Sequence, residues 1–481
     1  MHLSTLKKIY RATIVAISIF TILINGSFAA EERSGKVPNL VAARDEAVSI
    51  LSDLIKIDTS NPPGNETKAA EYLKSLLDRE GIPAEIFESE PGRGNLVARL
   101  KGSGKKKPLL LMGHLDVVGV ERDKWSVDPF AATIKDGYVY GRGAIDDKGH
   151  LSAFFTVFLL LHRLKVPLDR DVILLAEAGE EGTPRYGIDF MIEKHWQKIE
   201  CEFALNEGGW IKEENGKAQY VGISTMEKVP HPIKLIARGS SGHGSMPRLD
   251  NPITHLAAAV GKVGSWQPPM RLNETTKEFF SRLAKISPIE EATLYKNLTE
   301  PAHSADAQEK LRATNILYNS MLRTSIVPTI IKGGFRTNVI PSEAEATLDV
   351  RALPNEDIDQ FVATLRELIA DPSIEIMLVP GNHRPVSTPS GLQTDLFLAL
   401  ERAQVEVFPK AVTLPLLLTG ATDSAQLRGK GVQAYGIGTL MSDSDRARIH
   451  GNDERLSIDG FGKFLEFVYH SVTNVAAATG R

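Results

Sequence analysis

The sequence of 481 residues predicts an α/β fold: a mixed, mostly parallel sheet with helices on both faces, plus an inserted α+β domain. Three observations lead to this prediction. Short apolar runs typical of buried strands alternate with helical stretches. Four of those runs end abruptly in residues with imidazole or carboxyl groups, as happens where a site lies beyond the carboxyl ends of the strands in an open α/β sheet. A later region instead alternates apolar and polar residues, as half-exposed strands do.

The first half of the chain supplies the alternation of helices and strands. Helical spacing of apolar residues over 41–57 ends at the helix breaker 61–64, and a second helical pattern covers 66–80. Residues 148–164 are apolar on nearly all sides, which predicts a buried helix. Helices between successive strands allow those strands to run parallel. The apolar runs predicted to be strands lie at 84–87, 95–100, 109–112, 138–140, 172–175 and 203–205.

A second domain interrupts this pattern near residue 221. It reads in order strand, helix, strand, strand, helix, strand, with a polar, helix-forming stretch over 274–322 between its halves. Motifs with imidazole and carboxyl groups resume only afterwards, at His450. The sequence therefore predicts that residues 224–379 form an insertion, and that 31–223 and 380–481 together form the domain around the site.

The first residues read as a secretory signal rather than as part of the fold. A basic start is followed by an uncharged apolar stretch over 12–24 and by small residues at Ser27 and Ala29. The apolar stretch is shorter than the roughly 20 residues that a membrane span needs. We therefore predict a signal peptide over 1–30 and a secreted or periplasmic mature protein with no stable membrane span; the alternative is an uncleaved anchor.

Charge and cysteine content exclude several classes of protein. The formal net charge of −4 gives no sign of nucleic-acid binding, which usually needs a basic patch. Cys201 is the single cysteine, so no internal disulfide can form, and its apolar setting indicates a buried structural residue. No Gly-X-Ser-X-Gly elbow precedes a helix, which argues against a serine hydrolase.

Five residues at or near strand ends have the side chains of metal ligands. They combine imidazole nitrogen and carboxylate oxygen, a set that suits zinc and admits cobalt or manganese. Five ligands can serve two metal ions if one carboxylate bridges, and two ions roughly 3.5–4 Å apart can activate a shared water for hydrolysis. The bridge is predicted to be the aspartate in the glycine-rich turn between the other segments. The five are His114, Asp146, Glu181, Glu207 and His450.

Two further carboxylates are predicted to support this metal site. Asp116 lies two residues after His114 on a strand, so both side chains project to the same side, and Asp116 can fix the imidazole tautomer. Glu180 precedes Glu181, so one of the pair can bind metal while the other takes a proton from the bound water.

These motifs together resemble metallopeptidase family 20, the family of glutamate carboxypeptidase, aminoacylase, acetylornithine deacetylase and succinyl-diaminopimelate desuccinylase. The resemblance extends from about residue 41 to residue 472 and is closest to the larger carboxypeptidase-like members. It implies a zinc-exopeptidase type of sheet. The segments that carry it are 113–118, 125–130, 140–149, 180–182 and 206–209.

The resemblance also implies how the site is arranged. Two Zn²⁺ ions per chain are expected, with His114 and Glu207 on one ion, Glu181 and His450 on the other, and Asp146 bridging. It further implies that Glu180 is the general base and Asp116 the orienting carboxylate. A cis peptide bond is expected between Asp146 and Asp147.

The insertion resembles the lid or dimerisation domain of the same family. His243, in the loop 241–247, matches the histidine that polarises the scissile carbonyl. Asn338 and Arg351 match positions that hold the oxyanion and the substrate carboxylate, and a guanidinium can grip a carboxylate with two parallel bonds. Gly420 matches a second substrate-binding loop. The resemblance thus implies substrate contacts from the lid and a homodimer formed through it.

The sequence predicts a di-zinc hydrolase that cleaves a peptide or amide bond next to a free carboxylate, using a zinc-bridged hydroxide with Glu180 as general base. Carboxypeptidase or dipeptidase action is favoured over hydrolysis of N-acyl amino acids, which would use the same residues. The substrate is therefore a small peptide or an N-acyl amino acid. An inactive binding protein on the same scaffold is the remaining alternative; it should lack a ligand or the base, and all are present.

Overall fold

The computed structural model describes residues 37–380 and 384–478. Within them the helices are α1 (Leu40–Lys56), α2 (Glu66–Arg79), α3 (Lys148–Arg163), α4 (Ile188–Ile199), α5 (Pro252–Ser265), α6 (Glu274–Leu283), α7 (Ile289–Asn297), α8 (Ser304–Thr314), α9 (Ile316–Met321), α10 (Ile358–Ile369), α11 (Asp395–Val407), α12 (Ser424–Gly429), α13 (Asp443–Arg446) and α14 (Ile458–Ala476). The strands are β1 (Ala84–Glu88), β2 (Gly94–Leu100), β3 (Leu109–His114), β4 (Thr133–Lys135), β5 (Tyr138–Tyr140), β6 (Val172–Glu177), β7 (Phe203–Asn206), β8 (Trp210–Glu214), β9 (Lys217–Glu227), β10 (Val229–Pro230), β11 (Ile233–Arg238), β12 (Gly242–His243), β13 (Ser325–Gly333), β14 (Val339–Ile340), β15 (Glu343–Ala352), β16 (Ile374–Leu378), β17 (Val412–Leu418), β18 (Gln433–Gly436), β19 (Leu440–Met441) and β20 (Arg455–Ser457).

The predicted signal peptide over 1–30 lies outside the described residues. Among 37–380 and 384–478, no helix combines the length and the apolar character that crossing a membrane requires.

Ten strands form the central sheet, in the order β1-β2-β6-β3-β7-β18-β9-β8-β19, with β17 also paired to β9. Five pairings are parallel: β3 with β6 and with β7, β7 with β18, β8 with β19, and β9 with β17. The other four are antiparallel. Every residue of β3 and β6 is buried, as expected for strands covered on both faces. The predicted mixed, mostly parallel sheet is confirmed.

Helices cover both faces of this sheet, and β3 shows how. Leu109 and Leu111 pack in a core with α1, α2, α3, α11 and α14. Leu110 and Met112 point the other way, into a smaller core with α4 and α12. The helix predicted to be buried is α3, which packs against α1, α14 and β3. The continuous apolar runs in the sequence are thus explained by burial on two sides.

One of the four apolar runs with polar ends lies outside the central sheet. Residues 138–140 form β5, which pairs with β4 and β20 in a separate three-stranded sheet. The interpretation of this run as a strand of the same open sheet is therefore wrong. Only Val139 of its three residues is buried, so β5 needs cover on one side only.

The insertion contains a second sheet, the lid sheet, built from β10, β11, β13, β15 and β16 with antiparallel pairing throughout. The order β11, α5, β13, β15, α10, β16 is the predicted strand, helix, strand, strand, helix, strand. Helices α5 and α10 pack with the buried residues of the sheet, such as Leu348 and Val350, in a core of their own. We use "lid" below for this sheet with α5, α10 and the short β12–β14 pair.

Four helices within the predicted insertion pack on the central domain rather than on the lid. Helix α6 contacts β17 of the central sheet. Its residues Phe279 and Phe280 form an aromatic cluster with Tyr295 and Tyr318 of α7 and α9. All four rings belong to the large core of the central domain. The boundary of the insertion at 224–379 stays a prediction, and its polar middle is structurally part of the neighbouring domain.

Candidate active site

Three neighbouring strands of the central sheet end at one place, and predicted metal ligands lie there. His114 is the last residue of β3 and pairs with Glu177, the last residue of β6. On the other side of β3, the parallel strand β7 ends at Asn206, directly before Glu207. Because parallel strands share one direction, their carboxyl ends bring His114, Glu207 and the loop after β6 together.

Asp146 lies between two imidazoles. His114 Nε2 is 3.0 Å from Asp146 Oδ1, and His450 Nε2 is 3.0 Å from Asp146 Oδ2. His450 Nε2 is also 3.0 Å from Glu181 Oε1. His450 has a φ of 60°, a left-handed conformation that is costly for a non-glycine residue. One carboxylate therefore offers one oxygen to each imidazole, which is the arrangement of a bridging ligand.

Two groups of side chains have ligand atoms close enough to share a metal ion. His114, Asp146 and Glu181 have ligand atoms within 4.8 Å of one another, and so do His114, Glu180 and Glu207. With His450 beside Asp146 and Glu181, all five predicted ligands come together in one place. Glu180, predicted to be the free carboxylate of its pair, also lies at ligand distance.

The electrostatics of this group fit divalent cations. Burial and the neighbouring carboxylate of Asp146 raise the pKa of Glu181, and burial with the same neighbour raises the pKa of Glu207 well above its usual range. Hydrogen bonds to Asp146 and Glu181 raise the pKa of His450 to about 10. Buried carboxylates this close together are unfavourable when ionised, and a bound cation removes that cost. The donor set of imidazole and carboxylate is one that zinc accepts.

The loop that carries Asp146 is held by Glu454, a residue that the sequence analysis missed. Glu454 Oε1 accepts hydrogen bonds from Ile145 N (2.7 Å) and Asp146 N (3.0 Å). Oε2 accepts from Gly143 N (3.1 Å) and from Arg142 Nη1 (2.7 Å). Glu454 is fully buried, and its place only four residues after His450 is the signal that could have drawn attention to it.

The predicted cis peptide bond between Asp146 and Asp147 is present. Asp147 Oδ2 accepts a hydrogen bond from the backbone N of His114 at 3.1 Å. A Cβ at Gly113 would come within 2.5 Å of that carboxylate oxygen, so the close approach requires glycine at this position.

Asp116 contacts both the loop after β6 and the imidazole of His114. Its Oδ1 accepts a hydrogen bond from Glu180 N (3.1 Å), and its Oδ2 accepts from Glu181 N (3.2 Å) and Asn61 Nδ2 (2.7 Å). His114 Nδ1 lies 2.9 Å from the backbone carbonyl oxygen of Asp116 and 3.5 Å from its Oδ1. Asp116 therefore contacts the imidazole through both its main chain and its carboxylate, and the carboxylate also holds Glu180 and Glu181 in place.

Glu180 is paired with an arginine that the sequence analysis did not single out. Arg384 Nη2 donates to Glu180 Oε1 at 2.5 Å, and Arg384 Nη1 donates to Asp423 Oδ1 at 2.5 Å. Burial raises the pKa of Glu180 to about 8, although the charge of Arg384 opposes the shift. The carboxylate predicted to take the proton is thus buried and fixed by a cation.

The lid residues predicted to contact the substrate are His243, Asn338 and Arg351. Among the described residues, the contacts found for these three are with other residues of the lid and not with the predicted metal ligands. His243 is exposed, with Nδ1 at 2.7 Å from Ser245 Oγ, and Gly244 N donates to the backbone oxygen of Asn338 at 2.9 Å. Arg351 Nε donates to Asp349 Oδ1 at 2.9 Å. His243 and Asn338 therefore lie near each other on the lid, and Arg351 lies on β15.

The loop of Gly420 is tied to the site. Thr422, two residues after Gly420, donates through its backbone N (2.8 Å) and its Oγ1 (2.9 Å) to the buried carboxylate of Glu227. Glu227 in turn pairs with Arg428 at 2.9 Å. The next residue of the loop, Asp423, receives Arg384 and so connects the loop to Glu180.

An α/β sheet with imidazoles and carboxylates grouped beyond the ends of its strands is the arrangement of a metal-dependent hydrolase. Residues 110–474 match the family described as Peptidase family M20/M25/M40. This match covers well over half of the chain, which therefore belongs to that family. The resemblance inferred from the sequence is confirmed, and with it an enzyme that acts on peptide or amide bonds.

Individual relatives agree with this assignment. The chain is 28% identical over 468 residues to the N-fatty-acyl-amino acid synthase/hydrolase PM20D1 of Homo sapiens, covering 92% of this chain and 91% of the relative. It is 31% identical over 399 residues to a probable carboxypeptidase S-like 2 of Dictyostelium discoideum, covering 79% and 74%. The crystal structure of the M20 family metallo-carboxypeptidase Sso-CP2 from Sulfolobus solfataricus shares the fold, with a TM-score of 0.69, 21% identity, and coverage of 90% and 99%.

Proposed function

We propose that this chain hydrolyses an amide bond and releases an amino acid that carries a free carboxylate. The observation that carries the proposal is the Asp146 carboxylate, with one oxygen 3.0 Å from the imidazole of His114 and the other 3.0 Å from that of His450. A carboxylate placed between two sets of metal ligands can bridge two metal ions, and such a pair of ions can act on the bond to be hydrolysed.

The proposed resident metals are two Zn²⁺ ions per chain. His114 and Glu207 would hold one, Glu181 and His450 the other, and Asp146 would be shared; Co²⁺ or Mn²⁺ could substitute. When bound, the ions supply positive charge that polarises the scissile carbonyl and lowers the pKa of a water molecule. Metal analysis of the purified chain tests this, with about two zinc per chain expected and none contradicting the proposal.

The proton transfers are assigned to Glu180. One oxygen of its carboxylate lies within 4.8 Å of ligand atoms of both His114 and Glu207, so it is beside the reacting centre. Glu180 would accept the proton of the attacking water and deliver it to the nitrogen of the leaving amine. Asp116 supports this role by accepting the backbone N–H groups of Glu180 and Glu181.

The lid is proposed to complete the site when substrate binds. His243 and Asn338 lie near each other at the β12–β14 pair and would stabilise the negative charge that develops on the carbonyl oxygen. Arg351 would bind the substrate carboxylate, and Gly420 would leave room for the substrate backbone. Closure of such a lid excludes water and completes the catalytic arrangement.

Two substrate classes satisfy this proposal, and we favour peptides over N-acyl amino acids. In both, the amine that leaves is part of an amino acid with a free carboxylate. The carboxypeptidase S-like relative supports the first class, and the relative named N-fatty-acyl-amino acid synthase/hydrolase, which matches 92% of this chain, supports the second.

A homodimer through the lid is part of the proposal. Strand β13 is an edge strand of the lid sheet, because it pairs only with β15 among the described strands. It exposes Val327, Ile330 and Ile331, and Phe335 follows them. An exposed, long apolar edge strand is a template for pairing with another chain. Export to the periplasm or the medium is proposed from the sequence features of residues 1–30 alone.

One experiment tests the proposed hydrolysis. Residues 31–481 are loaded with zinc and assayed against a panel of dipeptides, longer peptides and N-acyl amino acids, with and without a chelator. Release of the C-terminal amino acid, lost on chelation, is expected. Glu180→Gln should retain zinc and lose activity at least a hundredfold, since general base catalysis contributes about 10²–10⁴-fold. Glu71→Gln on the exposed face of α2 is the matched control. Unchanged turnover in Glu180→Gln would contradict the mechanism.

A further inference from the structure

Arg384 is a charged group beside the reacting centre to which the proposed mechanism gives no role. Its guanidinium bridges two carboxylates, through Nη2 to Glu180 and through Nη1 to Asp423. The Arg384 side chain is 11% exposed, Glu180 is 9% exposed and Asp423 is fully buried, so water screens these contacts little. Two charge-assisted hydrogen bonds from one planar group fix both carboxylates relative to each other.

Both ends of this bridge are held by further contacts within the central domain. Asp423 belongs to the loop that Thr422 anchors to Glu227, which is itself paired with Arg428. Next to Arg384 in the chain, the ring of Pro385 packs closely on Gly429. A Cβ atom added to Gly429 would lie 3.2 Å from that ring. Arg384 is therefore held from both directions and can act as a fixed support for Glu180.

We propose that Arg384 is a positioning residue that holds the Glu180 carboxylate in its working orientation by bridging it to Asp423. This inference rests on the proposed function of Glu180. A carboxylate with three rotatable side-chain bonds adopts many orientations when unsupported. Because proton transfer needs hydrogen-bond geometry in the transition state, loss of the support lowers kcat rather than substrate affinity.

The test uses the zinc-loaded full-length mature chain and steady-state kinetics on the best substrate of the panel. In Arg384→Met, kcat should fall about 10- to 100-fold while KM changes by less than about threefold. In Arg384→Lys the charge stays, but the ammonium lacks the rigid planar fork that fixes both carboxylates, so kcat should lie between those of Arg384→Met and the unaltered chain. Asp423→Asn should also lower kcat, because it removes the anchor.

The control is Arg282→Met. Arg282 likewise bridges two carboxylates, Glu278 and Glu401, but on α6 and α11. Its loss should alter thermal stability at most and leave kcat per bound zinc unchanged. Should Arg384→Met fail to fold, Arg384→Lys and Asp423→Asn provide the same comparison of kcat with KM.

Two outcomes would overturn the inference. Wild-type kcat in the folded, zinc-loaded Arg384 variants would mean that the bridge is only structural. A rise in KM with unchanged kcat would mean that Arg384 binds substrate instead. Failure of the proposed function is distinguishable, because the unaltered chain would then hydrolyse no member of the panel.

Discussion

Glu454 offers the sharpest test of how the candidate site is built. Its two carboxylate oxygens accept four hydrogen bonds, two each, from Arg142 and from the backbone of Gly143, Ile145 and Asp146. In Glu454→Gln the volume is unchanged, but one oxygen becomes an NH₂ group that faces donors. Two of the four hydrogen bonds are lost, whichever way the amide turns.

The size of the expected destabilisation follows from the burial of the ion pair between Arg142 and Glu454. Arg142 is 2% exposed and Glu454 is fully buried, so Glu454→Gln leaves an arginine charge without its counter-ion. Removing one partner of a buried ion pair costs about 3–5 kcal/mol. Where the NH₂ group takes the place of Oε1, the backbone N of Asp146 also loses its acceptor. Loss of such a support costs about 10- to 100-fold in metal affinity.

Two measurements check this prediction. Urea unfolding of the metal-free chain gives the change in the free energy of unfolding, and titration against a competing chelator gives the change in zinc affinity. Glu46→Gln is the control, because Glu46 on α1 and its partner Arg163 are each 34% exposed, so its loss leaves no buried charge. Less than about 1 kcal/mol of destabilisation and unchanged zinc affinity in Glu454→Gln would refute the reasoning.

Four further predictions follow from individual residues. Asp146→Asn should lower bound zinc to one ion per chain or fewer, measured by metal analysis, because the shared ligand loses its charge; retention of two ions would contradict the bridge. Because the pKa of His450 is about 10 in the metal-free chain, its proton competes with metal, so zinc affinity should rise as pH increases from 6 to 9. Isothermal titration in buffers of different ionisation enthalpy should show proton release on binding, and a pH-independent affinity would refute it. Burial raises the pKa of the Cys201 thiol, so a thiol reagent should find no reactive cysteine in the folded chain and one after denaturation. Ile331→Lys on the β13 edge should convert a dimer into a monomer in analytical ultracentrifugation without loss of bound zinc; an unchanged dimer would exclude this edge as the interface.

Local sequence was sufficient to predict the fold class and to single out the candidate ligands that the structure brings together. Each ligand lies in a motif that could be interpreted locally: His114 ends an apolar strand, and Glu207 directly follows another. Continuous apolar runs identify strands that are covered on both faces. Parallel strands place the residues at their carboxyl ends along the same edge of the sheet. The five candidate ligands could thus be singled out without knowing how the sheet is ordered, and Asp146 was the predicted bridge because it lies in the glycine-rich turn between the other segments.

Tertiary structure decided which groups support those ligands. Arg384 and Glu454 act across 204 and more than 300 positions of the chain, and no local pattern around either shows its partner. The packing of α6 also could not be predicted locally. Its apolar face indicated that the helix is partly buried, but not that it packs on β17. The spacing of apolar residues along the chain indicates which side of a helix or strand is buried. Which other helix or strand packs against that side depends on the whole fold. A buried charged side chain also needs an oppositely charged partner within the fold, because water cannot solvate it.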